Sequence, residues 1–370
     1  MLPKYSDRFE LARGEHDKGR MRLAWPAYLF QPWPVLLCLN TEIASGVNVA
    51  IRIAIPDDYQ RATASLSFLQ DNPAFNCTAL GDLTSDPDAR SVLARAQGLI
   101  LIRERTLIDE AFLRKTPELK IISQTGKLAR NIDLAACRRA GVVVVEGSGS
   151  PVAPAELTWL LIMASRRRLV SSVNAMKAGQ WQTELGRAVH RQTLGILGYG
   201  KIGRRIAHYG KAFDMQVQVW GSERAREEAR REGCLVPDDR ETFFATCDVL
   251  SVHLRLVKET EACIDEGDLL AMKPDALFVN TSRAELVAPG ALLAALRQGR
   301  PGFAALDVYE QEPVYDPAAP LLQMPNVLCT PHLGYVEQAS YESYFQTALD
   351  NLMRFFNDDF SPEMDLAAQS

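Results

Sequence analysis

Three polar residues with complementary chemistry each follow an apolar run. Arg283 comes after Phe278-Val-Asn280, Glu312 after Ala304-Ala-Leu306, and His332 after Val327-Leu-Cys-Thr330. A guanidinium is a planar, permanently charged fork that pairs with a carboxylate and polarises a neighbouring carbonyl. An imidazole gives or takes a proton near neutral pH, and a carboxylate bonded to it favours its charged form. Glu312 is the expected partner of His332. Together these groups suit the redox interconversion of a 2-oxo and a 2-hydroxy acid. Arg283 would hold the carboxylate and His332 would move the proton at the oxygen.

Such a reaction also needs a hydride, and a second motif points to its source. Thr193 to Leu197 is an apolar run that meets Gly198-Tyr199-Gly200-Lys201-Ile202-Gly203, and a helix-like pattern follows. Glycines at these three places allow the tight turn, the close approach of a pyrophosphate and the packing of helix on strand. The helix start then presents free N–H groups and the positive end of its dipole to phosphate. These six residues are the expected phosphate site of a dinucleotide. Asp307, Thr281 and His253 also follow apolar runs and are expected along the cofactor cleft, with Asp307 assigned to the nicotinamide amide. His253 is read as packing or cofactor contact. At the end of the next run, Val219-Trp220, the place of an NAD-selecting acid holds Gly221. Ser222 and Arg224 there suit a 2′-phosphate, whereas Glu223 suits ribose hydroxyls; the balance favours NADP(H) over NAD(H).

Parallel strands are the elements that would bring these residues to one edge. Six strands are expected in the second half: Thr193–Leu197, Gln216–Trp220, Asp248–Leu254, Ala276–Asn280, Gly302–Leu306 and Val327–Thr330. Helical stretches lie between most of them, as in a doubly wound sheet, where ligands bind beyond the carboxyl ends of the strands. An earlier series has strands at about 47–55, 98–102, 119–122 and 142–145, with helices at 57–69, 109–113 and 132–140. Pro151-Val-Ala-Pro154 interrupts it. A long helix is expected from about Ala155 to Arg168, with Arg166, Arg167 and Arg168 solvated at its negative end. A second helix closes at Gly179-Gln-Trp181, and a last one runs from about Val336 to Phe356. The expected arrangement inserts the nucleotide domain, 149–332, into a substrate domain made of 47–148 and 333–370.

Composition narrows the remaining classes. The 370 residues suit about two domains. A formal charge of −5 gives no general attraction for nucleic acid or an anionic membrane. The seven cysteines are scattered and the five histidines lack metal-ligand spacing, so a reduced, cytoplasmic protein without a metal is expected. Residues 1–46 differ from the rest. Leu23 to Thr41 is uncharged and follows Lys18, Arg20 and Arg22, a faint likeness to an export signal or anchor. Pro26, Pro32 and Pro34 would break a continuous helix there, and the stretch reads as a poorly ordered extension.

The motifs, taken in order, resemble the D-isomer-specific 2-hydroxyacid dehydrogenase family. They are Leu194 to Gly203, Val252-His-Leu-Arg-Leu-Val-Lys-Glu-Thr260, Phe278 to Arg283, Ala305-Leu-Asp-Val-Tyr-Glu-Gln-Glu-Pro313 and Asn326 to His332. Asn131-Ile-Asp133, Ala155-Glu156 and Gly179-Gln-Trp181 match as well, so the resemblance spans about residues 48 to 357. It implies an α/β protein with two Rossmann-like domains, the nucleotide-binding one inserted into a split, flavodoxin-like substrate domain. It also implies Arg283, Glu312 and His332 as the catalytic set, and a homodimer through the nucleotide domain. In the place where the family's backbone amides hold the substrate carboxylate stands Ser123-Gln-Thr-Gly-Lys127. Thr125, Gly126 and Lys127 are therefore expected substrate contacts, although Lys127 reads equally well as a solvated loop residue. Arg255 replaces the usual proline, Ala284 stands where the family usually has a glycine, and Leu333-Gly-Tyr-Val-Glu lacks the usual Gly/Ala-Thr run. The substrate pocket is expected to differ accordingly. Two other readings share the motifs: a nucleotide-sensing corepressor like the C-terminal-binding proteins, and a phosphoglycerate or phosphite dehydrogenase.

Overall fold

A computed structural model describes residues 50–369. The expectations for residues 1–46, and for the start of the first strand before residue 50, lie outside the described residues. The chain builds two all-parallel sheets. The first contains β1 (Ile51–Ile55), β2 (Phe75–Ala79), β3 (Gly98–Leu101), β4 (Ile121–Gln124) and β5 (Val143–Glu146), ordered β2-β1-β3-β4-β5. The second contains β6 (Thr193–Leu197), β7 (Gln216–Trp220), β8 (Val249–Val252), β9 (Leu277–Asn280), β10 (Phe303–Leu306) and β11 (Val327–Cys329), ordered β11-β10-β9-β8-β6-β7. Leu235 adds a single parallel bridge to Gln218, outside β7.

Every residue of β3, β4, β8 and β9 is buried. That is the signature of strands covered on both faces, for which near-continuous apolar sequence is required. On one face of the second sheet the helix Val152–Arg166 packs with Lys201–Ala212 against Leu194, Ile196, Val219 and Val279. On the other, Phe243, Phe244, Leu269, Leu292 and Leu296 cover Leu197, Leu250, Val252 and Phe278. The last helix, Gln338–Phe356, returns to the first sheet, where Tyr341, Phe345, Leu349 and Leu352 pack with Ile53, Ile55, Ile100 and Ile121.

Several expectations change. Strand β2 was overlooked in the sequence reading, although Phe-Asn-Cys-Thr-Ala alternates apolar and polar residues. The helix expected over 57–69 is broken. Asp57 and Arg61 have left-handed φ of 57° and 53°, and only a 3-10 turn, Ala62–Ser65, and a single turn, Ser67–Gln70, remain. The buried Asp58 carboxylate accepts from Ala62 N, Thr63 N and Thr63 Oγ1, and this local competition replaces helical bonding. Arg166, expected in solvent, is buried. Its guanidinium donates to Gln192 Oε1 and to the carbonyls of Asp248 and Asp275, tying three chain segments together beneath the sheet. The sequence signal was a helix-end charge, and tertiary carbonyl acceptors outweighed it.

Candidate active site

The phosphate cradle follows from geometry that only glycine permits. Gly198 has φ 99°, and a Cβ there would come within 2.8 Å of the His253 carbonyl. A Cβ on Gly203 would lie 2.2 Å from Gly198 O, so the helix could not start where it does. Gly200 has open space, and no side chain caps the helix that follows it, Lys201–Ala212. An uncapped helix start beside a bare backbone fits a pyrophosphate. The turn lies between β6 and β8, where the order of connection reverses and open sheets form their crevice.

The flanking residues divide into two groups. Lys201 is exposed at the helix start, and Ile202 is partly buried against the core. The Tyr199 ring turns away from the cradle into the core, and its hydroxyl donates to Glu232 Oε2 at 2.7 Å, so only its backbone faces a ligand. Thr281 Oγ1 lies 2.7 Å from Thr158 Oγ1 and braces the strand end to a helix. His253 Nε2 lies 2.8 Å from Ser251 Oγ, and burial pushes its pKa down to about 3, so the ring is neutral at physiological pH. At the end of β7, Ser222 Oγ caps Ala225 N, Arg224 pairs with Glu228 at 3.1 Å, and Glu223 pairs with Arg226. Arg226 lies over the Trp220 ring at 4.7 Å, a contact that the sequence reading did not anticipate.

On the same edge, Glu312 Oε2 meets His332 Nδ1 at 2.5 Å. Glu312 Oε1 also accepts from Tyr309 N, which fixes the carboxylate from its own loop. His332 sits at φ 51°, an uncommon conformation for a residue with a Cβ, and one that persists when its surroundings over-determine it. Asp307 supplies much of that constraint. It is fully buried and accepts from Thr330 Oγ1, Leu333 N and Gly334 N at 2.6, 2.7 and 2.8 Å. Burial raises its pKa, and these hydrogen bonds oppose the rise. Asp307 therefore pins the loop that carries His332, a task absent from the sequence reading.

The first sheet contributes a group of residues that the sequence reading overlooked. After β3 come Arg103, Glu104 and Arg105. Glu104 Oε1 accepts from Arg283 Nη2 at 2.5 Å and lies 3.6 Å from Arg103 Nη2. Arg105 donates to the hydroxyls of Tyr335 and Tyr341 and to Asp57 O, while its guanidinium stacks on Tyr59 at 4.8 Å. The Tyr335 ring meets His332 at 5.4 Å and lies beneath Arg103. One unbroken run of contacts thus links Arg283, Glu104, Arg103, Tyr335, His332 and Glu312. The departure at Leu333-Gly-Tyr335 corresponds to that aromatic floor.

The expected substrate loop has a different interior. Thr125 is fully buried, and its hydroxyl accepts from Arg103 N at 2.8 Å, so its side chain braces Arg103 and does not reach a ligand. Gly126 has φ 81°, and a Cβ there would fall 1.7 Å from Arg103 Nη1. The left-handed backbone favours glycine here, and the guanidinium of Arg103 lies against it. Lys127 is largely exposed and pairs with Glu146, which favours the solvated reading. An alternation of Arg and Glu after a strand was the available sign of this cluster, and it reads equally well as solvated charge. Among the described residues, no group of three or more His, Cys, Asp or Glu could hold a metal ion, and no helix is long and apolar enough to cross a membrane.

Known proteins share the family motifs and the fold. A family model described as D-isomer specific 2-hydroxyacid dehydrogenase, NAD binding domain, matches residues 159–334. A glyoxylate reductase of Aeropyrum pernix is 36% identical over 267 residues, covering 70% of this chain and 79% of that protein. A putative D-3-phosphoglycerate dehydrogenase oxidoreductase from Ralstonia solanacearum has a solved structure with a TM-score of 0.81 at 45% identity, covering 86% of this chain and 97% of that one. A D-lactate dehydrogenase from Aquifex aeolicus, complexed with NAD and lactic acid, gives a TM-score of 0.68 at 26% identity over 83% and 96% of the two chains.

Proposed function

We propose, from the premise that the chain belongs to the D-isomer-specific 2-hydroxyacid dehydrogenase family, that it is a reductase of small 2-oxo acids in which Arg283, Glu312 and His332 do the chemistry. A nicotinamide cofactor held at the glycine turn would supply or accept the hydride at the substrate's C2. Arg283 holds the substrate carboxylate and draws electron density from the neighbouring carbonyl. Glu312 engages Nδ1 of His332, which leaves Nε2 to deliver the proton to the carbonyl oxygen. The C=O π bond becomes a C–H and an O–H bond, and His332 is left neutral until solvent reprotonates it. The reverse direction uses the same groups, with His332 as base. The observation that carries this reading is the His332–Glu312 pair on the edge that holds the phosphate cradle.

Several finer assignments belong to the same reading. Gly198, Gly200, Lys201, Ile202 and Gly203, with the backbone of Tyr199, form the pyrophosphate site, and Thr281, His253 and Asp307 border the nicotinamide. Residues 149–332 form the nucleotide-binding domain, and 47–148 with 333–370 the substrate domain. Ser222 and Arg224, with Arg226 beside them, favour NADP(H), and Glu223 is the residue through which NAD(H) would be read. The protein is cytoplasmic and homodimeric through the nucleotide domain. The support for a dimer is an apolar run left exposed along Leu160, Leu169, Val170, Val173, Met176 and Leu185, an arm that a partner subunit would cover.

The test is a coupled-absorbance assay with NADH and NADPH against glyoxylate, hydroxypyruvate, pyruvate and longer 2-oxo acids. Turnover with at least one is expected. No turnover with any of them, together with a nucleotide-dependent protein partner, would favour the corepressor reading instead. Phosphorylated acids belong in the same panel, because Arg103 and Arg105 place more positive charge near the cleft than the sequence reading allowed.

A further inference from the structure

Glu104 stands in an unusual place for an acid. In a site meant to attract anions, its carboxylate meets the guanidinium that binds the substrate's own carboxylate. The contact is 2.5 Å to Arg283 Nη2, and the same oxygen lies 3.6 Å from Arg103 Nη2. The two partners come from different sheets, Glu104 after β3 and Arg283 after β9. Arg103 Nε is buried without a hydrogen-bond partner among the described residues, so this guanidinium has donor capacity that its surroundings leave unused. A carboxylate shared between two guanidiniums is what a bound 2-oxo acid would present there.

We propose that Glu104 occupies the carboxylate seat of Arg283 in the substrate-free enzyme and is displaced by the substrate, which sets the affinity of the site for every acid that Arg283 binds. This rests on the reading of Arg283 given above. Each incoming acid then exchanges one charge-assisted hydrogen bond for another, and only the difference contributes to affinity. Glu104 thereby weakens binding of any ligand that offers a lone carboxylate. The displacement cost is the same for every acid that engages Arg283, so contacts with Arg103 or with the His332 side of the cleft must supply the remaining affinity. Glu104 is thus a positioning group for Arg283 only until substrate arrives. Glu312 and Glu104 are the acids that face this cluster, and Arg103, Arg105, Arg283 and His332 are its bases.

The test titrates oxalate, which cannot be reduced, into the reduced-cofactor complexes of the wild type, Glu104→Gln, Glu104→Asp and Arg283→Ala, with nicotinamide fluorescence as the readout. Glu104→Gln keeps the shape and removes the charge. It is expected to tighten oxalate on the order of tenfold, and to lower KM for the best 2-oxo acid in the same direction. Glu104→Asp, too short to reach Arg283, is expected to fall between. Unchanged or weaker oxalate binding and a raised KM in Glu104→Gln would overturn the proposal and leave Glu104 as a fixed support for Arg283. If Arg283→Ala binds oxalate as the wild type does, the reading of Arg283 itself fails. Loss in Arg283→Ala without gain in Glu104→Gln sinks only the role of Glu104.

Discussion

His332 is held by two carboxylates that do different things. Glu312 touches the ring, and Asp307 fixes the backbone that aims it. Replacing His332 by Ala is expected to lower kcat about 10²–10⁴-fold while sparing nucleotide affinity, measured by steady-state kinetics and cofactor titration. Glu312→Gln should give a smaller loss, because the ring remains but its charged form loses a partner. His253 makes a pH prediction. Its pKa is depressed from 6.5 to about 3 on folding, so the unfolded chain binds more protons between those values. Stability is therefore lost as pH falls from 6.5 towards 3. Urea unfolding of His253→Gln should show a shallower loss over that range, and an identical slope would contradict the burial argument.

The elements supply position through their ends. The runs of β6 to β11 stood out in the sequence because the strands of a covered parallel sheet are mostly apolar, with Gln218, Ser251 and Asn280 as buried polar exceptions. Residues just after them could therefore be placed on one edge. The Arg103-Glu104-Arg105 cluster did not stand out. Its role depends on Gly126, Thr125 and Tyr335, which are brought to it by β4 and by the chain beyond β11, and no local pattern encodes that meeting. Thr125 and Asp307 were recognised as residues near the site, but whether a side chain faces ligand or props up a neighbour is decided by tertiary hydrogen bonding. Two substitutions test these supports. Gly126→Ala puts a Cβ onto Arg103 and strains a left-handed backbone, so substrate KM should rise with cofactor affinity intact. Asp307→Ala strands the buried Gly334 N–H, the half-buried Leu333 N–H and the Thr330 hydroxyl, and should cost about 3 kcal/mol by denaturant unfolding.

At the scale of the molecule, the edges of two parallel sheets bring polar residues together, as where Arg283 after β9 meets Glu104 after β3. The second sheet brings the cradle, Arg283, Glu312 and His332, and the first brings Arg103, Glu104 and Arg105. The paired-sheet design was legible from the two βα series and the break at Pro151-Val-Ala-Pro154, whereas β2 is a short alternating run that was passed over and the helix after β1 is broken by the hydrogen bonds of Asp58. The exposed arm around Leu160 and Val173 makes a separate prediction. Leu160→Asp with Val173→Asp should convert a dimer to monomers in analytical ultracentrifugation, and a wild type that is already monomeric would refute the dimer. In the proposed reaction His332 and Arg283 act on a 2-oxo acid beside bound nicotinamide. Single-turnover oxidation of the bound reduced cofactor by the best 2-oxo acid tests it most directly. His332→Ala and Arg283→Ala are each expected to slow this step at least about 100-fold with unchanged cofactor binding; rates close to the wild type in both variants would contradict these roles.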